Sequence, residues 1–261
     1  MSTLDCLNLQ PEFEPAVLLI RQQVIDYFGD RLAAIYFGGS IAIGDALAGV
    51  SDLDWWMFID GEPGEADLAW CETLRETVAT RYPQIAEYHP TPYPVAKLEQ
   101  DAFWRYALRH TAMQLYGRDI LGELEARGIA IDAPSRAMAI KRLGWAKPLL
   151  DHLRAGVIPD YLYKAPEIPC LAIRKLARYF VIVEGAYLLM AEEKFASFRA
   201  SEVLPALRAH FPQWQKLYNM TAEVLADPYS ITFTEETYRG ELIPFFAATI
   251  KHVEGLAAGA Q

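Results

Sequence analysis

Residues 37–54, with the sequence FGGSIAIGDALAGVSDLD, join two short apolar runs and constrain the fold more than any other stretch. The first run, 31–39, is partly aromatic and ends at a glycine pair, and the second, 51–60, contains WWMFI. Runs of this length, bounded by glycine, serine and aspartate, are typical of strands. Serine is a favoured N-cap residue, so Ser40 predicts a short helix that extends to about Leu47. The stretch therefore predicts a strand, a turn, a short helix and a second strand.

Two acids, Asp52 and Asp54, stand at the start of the second strand. Side chains at positions i and i+2 of a strand point to the same face, with Cα atoms roughly 6.5–7 Å apart. Two carboxylates directed at one point repel each other unless a cation lies between them, and a hard divalent ion suits them. Magnesium in proteins is often held by one or two carboxylates together with phosphate oxygens. The pair therefore predicts a metal and a phosphate ligand.

Gly39 and Ser40 are the predicted phosphate-binding residues. Glycine lets the backbone approach a triphosphate closely, the Ser40 hydroxyl can donate a hydrogen bond, and the following helix points its N–H groups at the anion. Taken alone, the Gly-Gly-Ser motif would fit an ordinary turn, and the Asp-Leu-Asp motif would fit the start of an ordinary strand. The two motifs at this separation favour a nucleotide site.

The remaining sequence predicts an α+β protein. Apolar periodicity predicts helices at 15–30 and 65–82, and a third strand at 84–89 (QIAEYH). The later segments all have helical patterns: 97–116, 134–155, 167–191, 201–210, 212–226 and 233–257. We therefore predict an N-terminal α/β domain at 1–130 with a small mixed sheet, followed by an all-α domain at 131–261.

Charge is unevenly distributed between the two halves. Residues 1–130 contain 20 acidic and 9 basic residues, whereas residues 131–261 contain 14 and 15. An acidic half argues against a nucleic-acid partner, because phosphate contacts dominate that affinity. It suits a cationic substrate or a site that concentrates metal ions. Surface acids that only maintain solubility would explain most of these residues equally well.

The cytoplasm is the expected compartment, and we expect no membrane partner. The three cysteines are far apart and match neither a disulfide framework nor a zinc site. The first fifteen residues lack the basic and apolar regions of a secretory signal. The most apolar stretch, 179–191, is too short to span a bilayer and predicts a buried helix. The sequence does not predict an oligomeric state.

Gly39-Ser40, eleven intervening residues and Asp52-Leu53-Asp54 resemble the motif of the nucleotidyltransferase superfamily that includes DNA polymerase beta. The resemblance implies two Mg²⁺ ions that bridge the acids and the nucleotide phosphates. It also implies that a hydroxyl attacks the α-phosphorus in line and that pyrophosphate leaves.

The same resemblance implies a third acid on a neighbouring strand, as a metal ligand or as the base that deprotonates the nucleophile. Glu87 is the best candidate because it lies in the predicted third strand, and Glu99 and Asp101 are the alternatives. An exposed acid on an edge strand is the other interpretation of Glu87.

Within the superfamily, the chain is most similar to the antibiotic nucleotidyltransferases, the aminoglycoside adenylyltransferases. Enzymes of the streptomycin and spectinomycin type have a Trp-Arg-Tyr segment after the third acid and then an Asp-Ile-Leu. This chain has Trp104-Arg105-Tyr106 and, at 113–121, MQLYGRDIL. Trp104 could line a substrate cleft, although aromatic residues more often serve packing. The tryptophan that those enzymes place near Asp-Ile-Leu has no counterpart here.

Those enzymes also carry a helical domain in which an acid contacts the drug and basic residues contact ATP. The resemblance implies these roles for Glu167, Arg178 and Lys194, with a longer Arg-to-Lys spacing than in the family. Arg174 lies one helical turn before Arg178 on the same face, in a segment, 136–199, with 11 basic and 6 acidic residues. Such a stripe suits the triphosphate, and it is also typical of a solvated helix face.

Three functions remain open at this point. The first is an enzyme that transfers AMP from ATP to a hydroxyl of a small cationic molecule such as an aminoglycoside, with Glu87 as general base. The second is transfer to a protein side chain or another metabolite. The third is a nucleotide-binding or antitoxin-like interaction module with little catalysis.

Overall fold

The computed structural model describes residues 9–131, 135–156, 169–192 and 197–258. The chain divides into two compact units, Met1–Ala133 and Pro134–Gln261. The assignment of residues 1–130 to a nucleotidyltransferase domain and of residues 131–261 to a substrate- and ATP-binding domain stays a prediction.

The first unit contains a four-stranded sheet with helices on both faces. Its elements are α1 (Glu14–Phe28), β1 (Leu32–Gly38), α2 (Gly39–Ala42), β2 (Asp54–Ile59), α3 (Glu65–Arg81), β3 (Pro92–Pro94), α4 (Ala96–Gln100), α5 (Ala102–Thr111), β4 (Ala112–Gly117) and α6 (Ile120–Ala126). The strand order is β3-β2-β1-β4. Strand β1 pairs antiparallel with β2 and β4, and β2 pairs parallel with β3. The predicted small mixed sheet is confirmed.

Alternation along β2 directs its side chains into two apolar clusters. Trp55 and Met57 pack with residues of α1 and α3 on one face of the sheet. Phe58 and the partly buried Trp56 pack with residues of α4, α5 and α6 on the other. Two neighbouring tryptophans therefore contact opposite faces of a central strand, as the period of two requires.

Three predicted elements differ from the structure. The predicted strand 84–89 is wrong: Tyr88 forms a single parallel bridge with Leu53, and the third strand is β3. The predicted helix 97–116 is also wrong at its end, because residues 112–117 pair with β1 as an edge strand. Tertiary pairing here overrides local preference. The helix at Ser40 ends at Ala42, where a turn with Gly44 at φ +73° follows.

All the described secondary-structure elements of the second unit are helical, as predicted. Its elements are α7 (Ser135–Arg154), α8 (Pro169–Leu176), a π-helical segment (Ala177–Val183), α9 (Glu184–Ala191), α10 (Ala200–His210), α11 (Gln215–Ala226) and α12 (Glu235–Ala258). One apolar cluster joins these helices, with Phe180, Tyr218, Phe245 and Phe246 among its largest buried side chains. Among the helices described, none is long and apolar enough to cross a membrane.

Asp67 ties the start of α3 to the segment before β1. Its carboxylate accepts a hydrogen bond from the backbone N–H of Gly64 (2.8 Å) and two from the guanidinium of Arg31 (3.1 and 2.8 Å). The side chain of Asp67 is 5% exposed and that of Arg31 is 47% exposed. The hydrogen bonds from Arg31 hold the pKa of Asp67 below its ordinary value.

We expect Asp67→Asn to lower the free energy of unfolding by about 1 kcal/mol at neutral pH, because the half-exposed Arg31 limits the strength of the pair. The pKa of Asp67 is lower in the folded than in the unfolded chain. The stabilisation is therefore complete above about pH 5 and is lost as the pH falls through the folded pKa. Denaturant unfolding across this range checks both points. The exposed Asp30→Asn is the control, and a loss that persists unchanged at low pH would contradict the mechanism.

Candidate functional site

A cleft of about 150 Å³ opens on the first unit. The side chains and backbone that line it come from the start of β2 and from the extended segment that leads into β3. They are Asp52, Leu53, Asp54, Trp55, Trp56, Glu87, His89, Thr91 and Tyr93. Both predicted acids and the predicted third acid thus lie around one cavity.

The alternation of β2 explains why Asp52 and Asp54 share this cleft. Leu53 and Trp55 are buried in the apolar cluster against α1 and α3. Their neighbours Asp52 and Asp54 therefore project toward the opposite face. Asp54 is half-buried as the first residue of β2, and Asp52, two residues before the strand begins, is exposed.

A single parallel bridge directs Glu87 to the same face. The backbone N–H of Leu53 donates to the carbonyl oxygen of Glu87 (2.9 Å), and Leu53 is bridged to Tyr88. Tyr88 is buried in the same cluster as Leu53. The residues on either side of Tyr88, which are Glu87 and His89, consequently face the cleft. The Nε2 atom of His89 lies 3.5 Å from Oε2 of Glu87.

The glycine pair after β1 is explained by close contacts across the sheet. A Cβ atom at Gly39 would lie 1.9 Å from Oδ2 of Asp54, and φ of Gly39 is +70°. A Cβ atom at Gly38 would lie 2.8 Å from Cζ3 of Trp56. Each glycine therefore makes room for one side chain of the cleft, and Gly39 also places the turn before Ser40 against the Asp54 carboxylate.

The donor chemistry of the cleft fits magnesium. Asp52, Asp54 and Glu87 offer hard carboxylate oxygens, and Mg²⁺ needs only one or two protein carboxylates when phosphate oxygens complete its shell. Within the described residues, no three His, Cys, Asp or Glu side chains are arranged as a ready metal site. The metal-binding roles of these acids, and the phosphate-binding roles of Gly39 and Ser40, stay predictions.

The alternative third acids have other surroundings. Glu99 accepts a hydrogen bond from Arg127 (2.6 Å), and Asp101 lies at the start of α5 near the backbone N–H of Trp104 (3.4 Å). Neither is among the described residues that line the cleft. This placement favours Glu87.

Trp104 packs behind two residues that line the cleft, and it is not among the described residues that line the cleft itself. Its ring centroid lies 6.1 Å from that of Trp56 and 5.1 Å from that of Tyr93. The neighbouring Arg105 is buried and donates to the carbonyl oxygens of Leu98 (2.6 Å) and Ala130 (2.8 Å). The Trp-Arg-Tyr segment therefore has a packing explanation, and substrate binding by Trp104 stays a prediction.

The Asp-Ile-Leu segment also has a structural explanation. Asp119 is the N-cap of α6, and its carboxylate accepts a hydrogen bond from the backbone N–H of Gly122 (2.9 Å). Ile120 and Leu121 are buried in the cluster beneath α4 and α5.

The predicted ligand-binding residues of the helical unit lie in different surroundings. Arg174 is 8% exposed and donates to the carbonyl oxygen of Leu225 (2.5 Å), so a structural role explains its burial. Arg178 is half-buried in the π-helical segment, a type of helix that often occurs at functional sites. Glu167 and Lys194 lie outside the described residues. The ATP-binding roles of Arg174, Arg178 and Lys194 and the substrate-binding role of Glu167 stay predictions.

Six residues that line the cleft were not predicted as site residues. Leu53 and Trp55 have side chains buried in the apolar cluster, and the other four are Trp56, His89, Thr91 and Tyr93. The period of two that places Asp52 and Asp54 together would also have included Trp56. The same period continues from Glu87 through residues 89, 91 and 93. The prolines in this segment interrupt the pattern of a regular strand, so the sequence did not predict its extended conformation.

We expect Gly39→Ala to destabilise the protein more than Gly49→Ala. Both glycines have a left-handed backbone, with φ of +70° and +74°, so both variants lose about 1 kcal/mol from backbone strain. Among the described residues, nothing lies within 4 Å of a Cβ at Gly49, whereas a Cβ at Gly39 meets the Asp54 carboxylate. We expect the clash to add about 1–3 kcal/mol to the loss in Gly39→Ala. Denaturant unfolding of both variants measures this difference. Equal losses of unfolding free energy in the two variants would show that the Asp54 side chain moves aside from the new Cβ atom without cost.

No family model matches the sequence, and no curated protein matches it. Among solved structures, the chain is similar to the crystal structure of spectinomycin adenyltransferase AAD(9) from Enterococcus faecialis with ATP and spectinomycin. The TM-score is 0.56 at 12% sequence identity, and the match covers 90% of this chain and 98% of that chain. The likeness confirms the predicted fold: this chain has the α+β nucleotidyltransferase fold of that adenyltransferase.

Proposed function

We propose that this protein is a magnesium-dependent nucleotidyltransferase that moves AMP from ATP to a hydroxyl of a small cationic acceptor such as an aminoglycoside. One observation carries the proposal. Asp52, Asp54 and Glu87 line a single cleft, and Asp54 packs against Gly39 of the turn before Ser40. The likeness in fold to an adenyltransferase solved with ATP and spectinomycin supports the same chemistry.

The residues of the cleft divide the work between them. Asp52 and Asp54 would hold Mg²⁺, which when bound neutralises charge on the triphosphate. Gly39 and Ser40 would orient the phosphates through backbone N–H groups and the serine hydroxyl. Glu87 would take the proton of the acceptor hydroxyl as its oxygen forms a bond to the α-phosphorus and the bond to pyrophosphate breaks.

Charge supports a cationic acceptor. Three carboxylates surround the cleft, and residues 1–130 contain 20 acidic against 9 basic residues. A negative cleft raises the local concentration of a cation and repels a polyanion, which argues against nucleic acid. An amine-bearing antibiotic would be such an acceptor, and its modification would confer resistance. The free thiols of Cys71 and Cys170 support a cytoplasmic location.

We expect Asp52→Asn to reduce pyrophosphate release to below about 1% of wild type, because the amide removes a charged ligand without changing shape. The assay contains ATP, Mg²⁺ and spectinomycin, followed by other aminoglycosides, and circular dichroism checks the fold. Asp60→Asn, just beyond the opposite end of β2, is the matched control. Undiminished transfer by Asp52→Asn would refute the proposal. Binding of ATP without pyrophosphate release from any acceptor would instead indicate a nucleotide-binding module.

We expect Glu87→Gln to lower kcat by about 100-fold or more while the KM for ATP changes little, since a general base acts on the acceptor proton. Glu99→Gln removes the alternative third acid, which lies in an ion pair with Arg127, and should retain activity. Steady-state kinetics at several pH values measure both variants. A larger loss in Glu99→Gln than in Glu87→Gln would reverse the assignment.

A further inference from the structure

The cleft has a second end that the proposed chemistry does not use. Two rows of alternating residues face it: Asp52, Asp54 and Trp56 from β2 and its approach, and Glu87, His89, Thr91 and Tyr93 from the neighbouring segment. Both rows begin with acids and end with an aromatic ring. Because a strand rises about 3.3 Å per residue, Trp56 lies roughly 7 Å beyond Asp54 along β2.

The aromatic end is held in place by packing. The six-membered ring of Trp56 lies over Gly38, and Trp104 contacts Trp56 edge-on, with an interplanar angle of 80°. Tyr93 packs against Phe58 (6.0 Å between centroids) and Trp104. Both Trp56 and Tyr93 nevertheless remain partly exposed in the cleft. A rigid, partly exposed aromatic wall is suited to contact a ligand ring.

Two rings of the aromatic end contact an ammonium group of the chain itself. The ammonium group of Lys97 lies 4.2 Å from the ring centroid of Tyr93 and 5.2 Å from that of Trp104. These distances are those of cation–π contacts, so an acceptor amine over Tyr93 or Trp104 would meet the like charge of Lys97. The cation–π contact of the acceptor is therefore assigned to Trp56. The carboxylates at the other end of the cleft add attraction for a cation.

We propose that Trp56 and Tyr93 form the acceptor-specificity wall of the cleft and pack against an amine-bearing ring of the acceptor. This inference rests on the proposed function, in which the acceptor hydroxyl lies near Glu87. The length of the cleft then places the next ring or amine of the acceptor at the aromatic end. An uncharged polyol lacks both the cation–π contact and the attraction to the acids.

Equilibrium binding to the full chain tests this wall without turnover. The probes are spectinomycin, a cationic aminocyclitol, uncharged myo-inositol, and Mg-ATP, each measured by titration calorimetry. Wild type should bind spectinomycin at least about tenfold more tightly than myo-inositol. Trp56→Leu should weaken spectinomycin about tenfold, and Trp56→Phe, which keeps a ring, should weaken it less than about threefold. Mg-ATP affinity should stay within about twofold in both variants.

Two further variants separate the wall from a folding defect. Tyr93→Leu removes the second ring and should also weaken spectinomycin. Trp70→Leu is the matched control. Trp70 lies in α3, is half-buried and stacks on Tyr27 of α1 with 4.1 Å between the ring centroids. It is not among the described residues that line the cleft. This variant should leave spectinomycin affinity unchanged. Thermal unfolding of each variant verifies that the chain is folded at the assay temperature.

Several outcomes would overturn the inference. These are equal affinity of wild type for spectinomycin and myo-inositol, no binding of either, unchanged spectinomycin affinity in Trp56→Leu, or the same loss in Trp70→Leu. Loss of Mg-ATP affinity in Trp56→Leu would show that the ring contacts the nucleotide instead.

Failure of the proposed function gives a different pattern. Selective, Trp56-dependent binding of spectinomycin without pyrophosphate release would remove the proposed function and retain the wall. Turnover in which Trp56→Leu changes the KM for ATP and leaves the KM for the acceptor unchanged would retain the proposed function and remove the wall.

Discussion

The candidate site depends on the antiparallel pairing of β1 with β2. The register places Gly38 opposite Asp54, so the turn that ends β1 meets the residues that begin β2. The close approach of Gly39 to the Asp54 carboxylate and of Gly38 to Trp56 follows directly from this register. A shift by one residue would turn Asp54 and Trp56 into the apolar cluster and Trp55 into the cleft.

Burial on both faces of the sheet makes this register secure. Trp55 and Met57 are less than 5% exposed against α1 and α3, and Phe58 is fully buried on the other face. Transfer of such large apolar side chains from water contributes roughly 1.5–3 kcal/mol each. A buried strand of this kind fixes the backbone at Asp54, its first residue, which suits a site that acts by positioning charge.

Several sequence motifs turned out to have structural partners. Asp119 caps α6, Arg105 donates to three backbone carbonyls, and buried Arg174 donates to the carbonyl of Leu225. A motif that resembles a family pattern can thus serve packing, so the function of each residue has to be judged from its contacts. By that measure Asp52, Asp54 and Glu87 are well placed for chemistry, because they line the same cleft.

The sequence by itself determined the local features: the period of two that puts Asp52 and Asp54 on one face, the glycine pair after a buried strand, and the helices of the second unit. These features follow from covalent geometry and from the spacing of apolar residues, which act over a few positions. Only the tertiary structure decided that residues 112–117 form a strand, that one bridge at Tyr88 turns Glu87 toward the acids, and that Trp56 and Tyr93 wall the cleft. Those outcomes depend on which distant segments pair and pack, and local sequence patterns do not encode that choice.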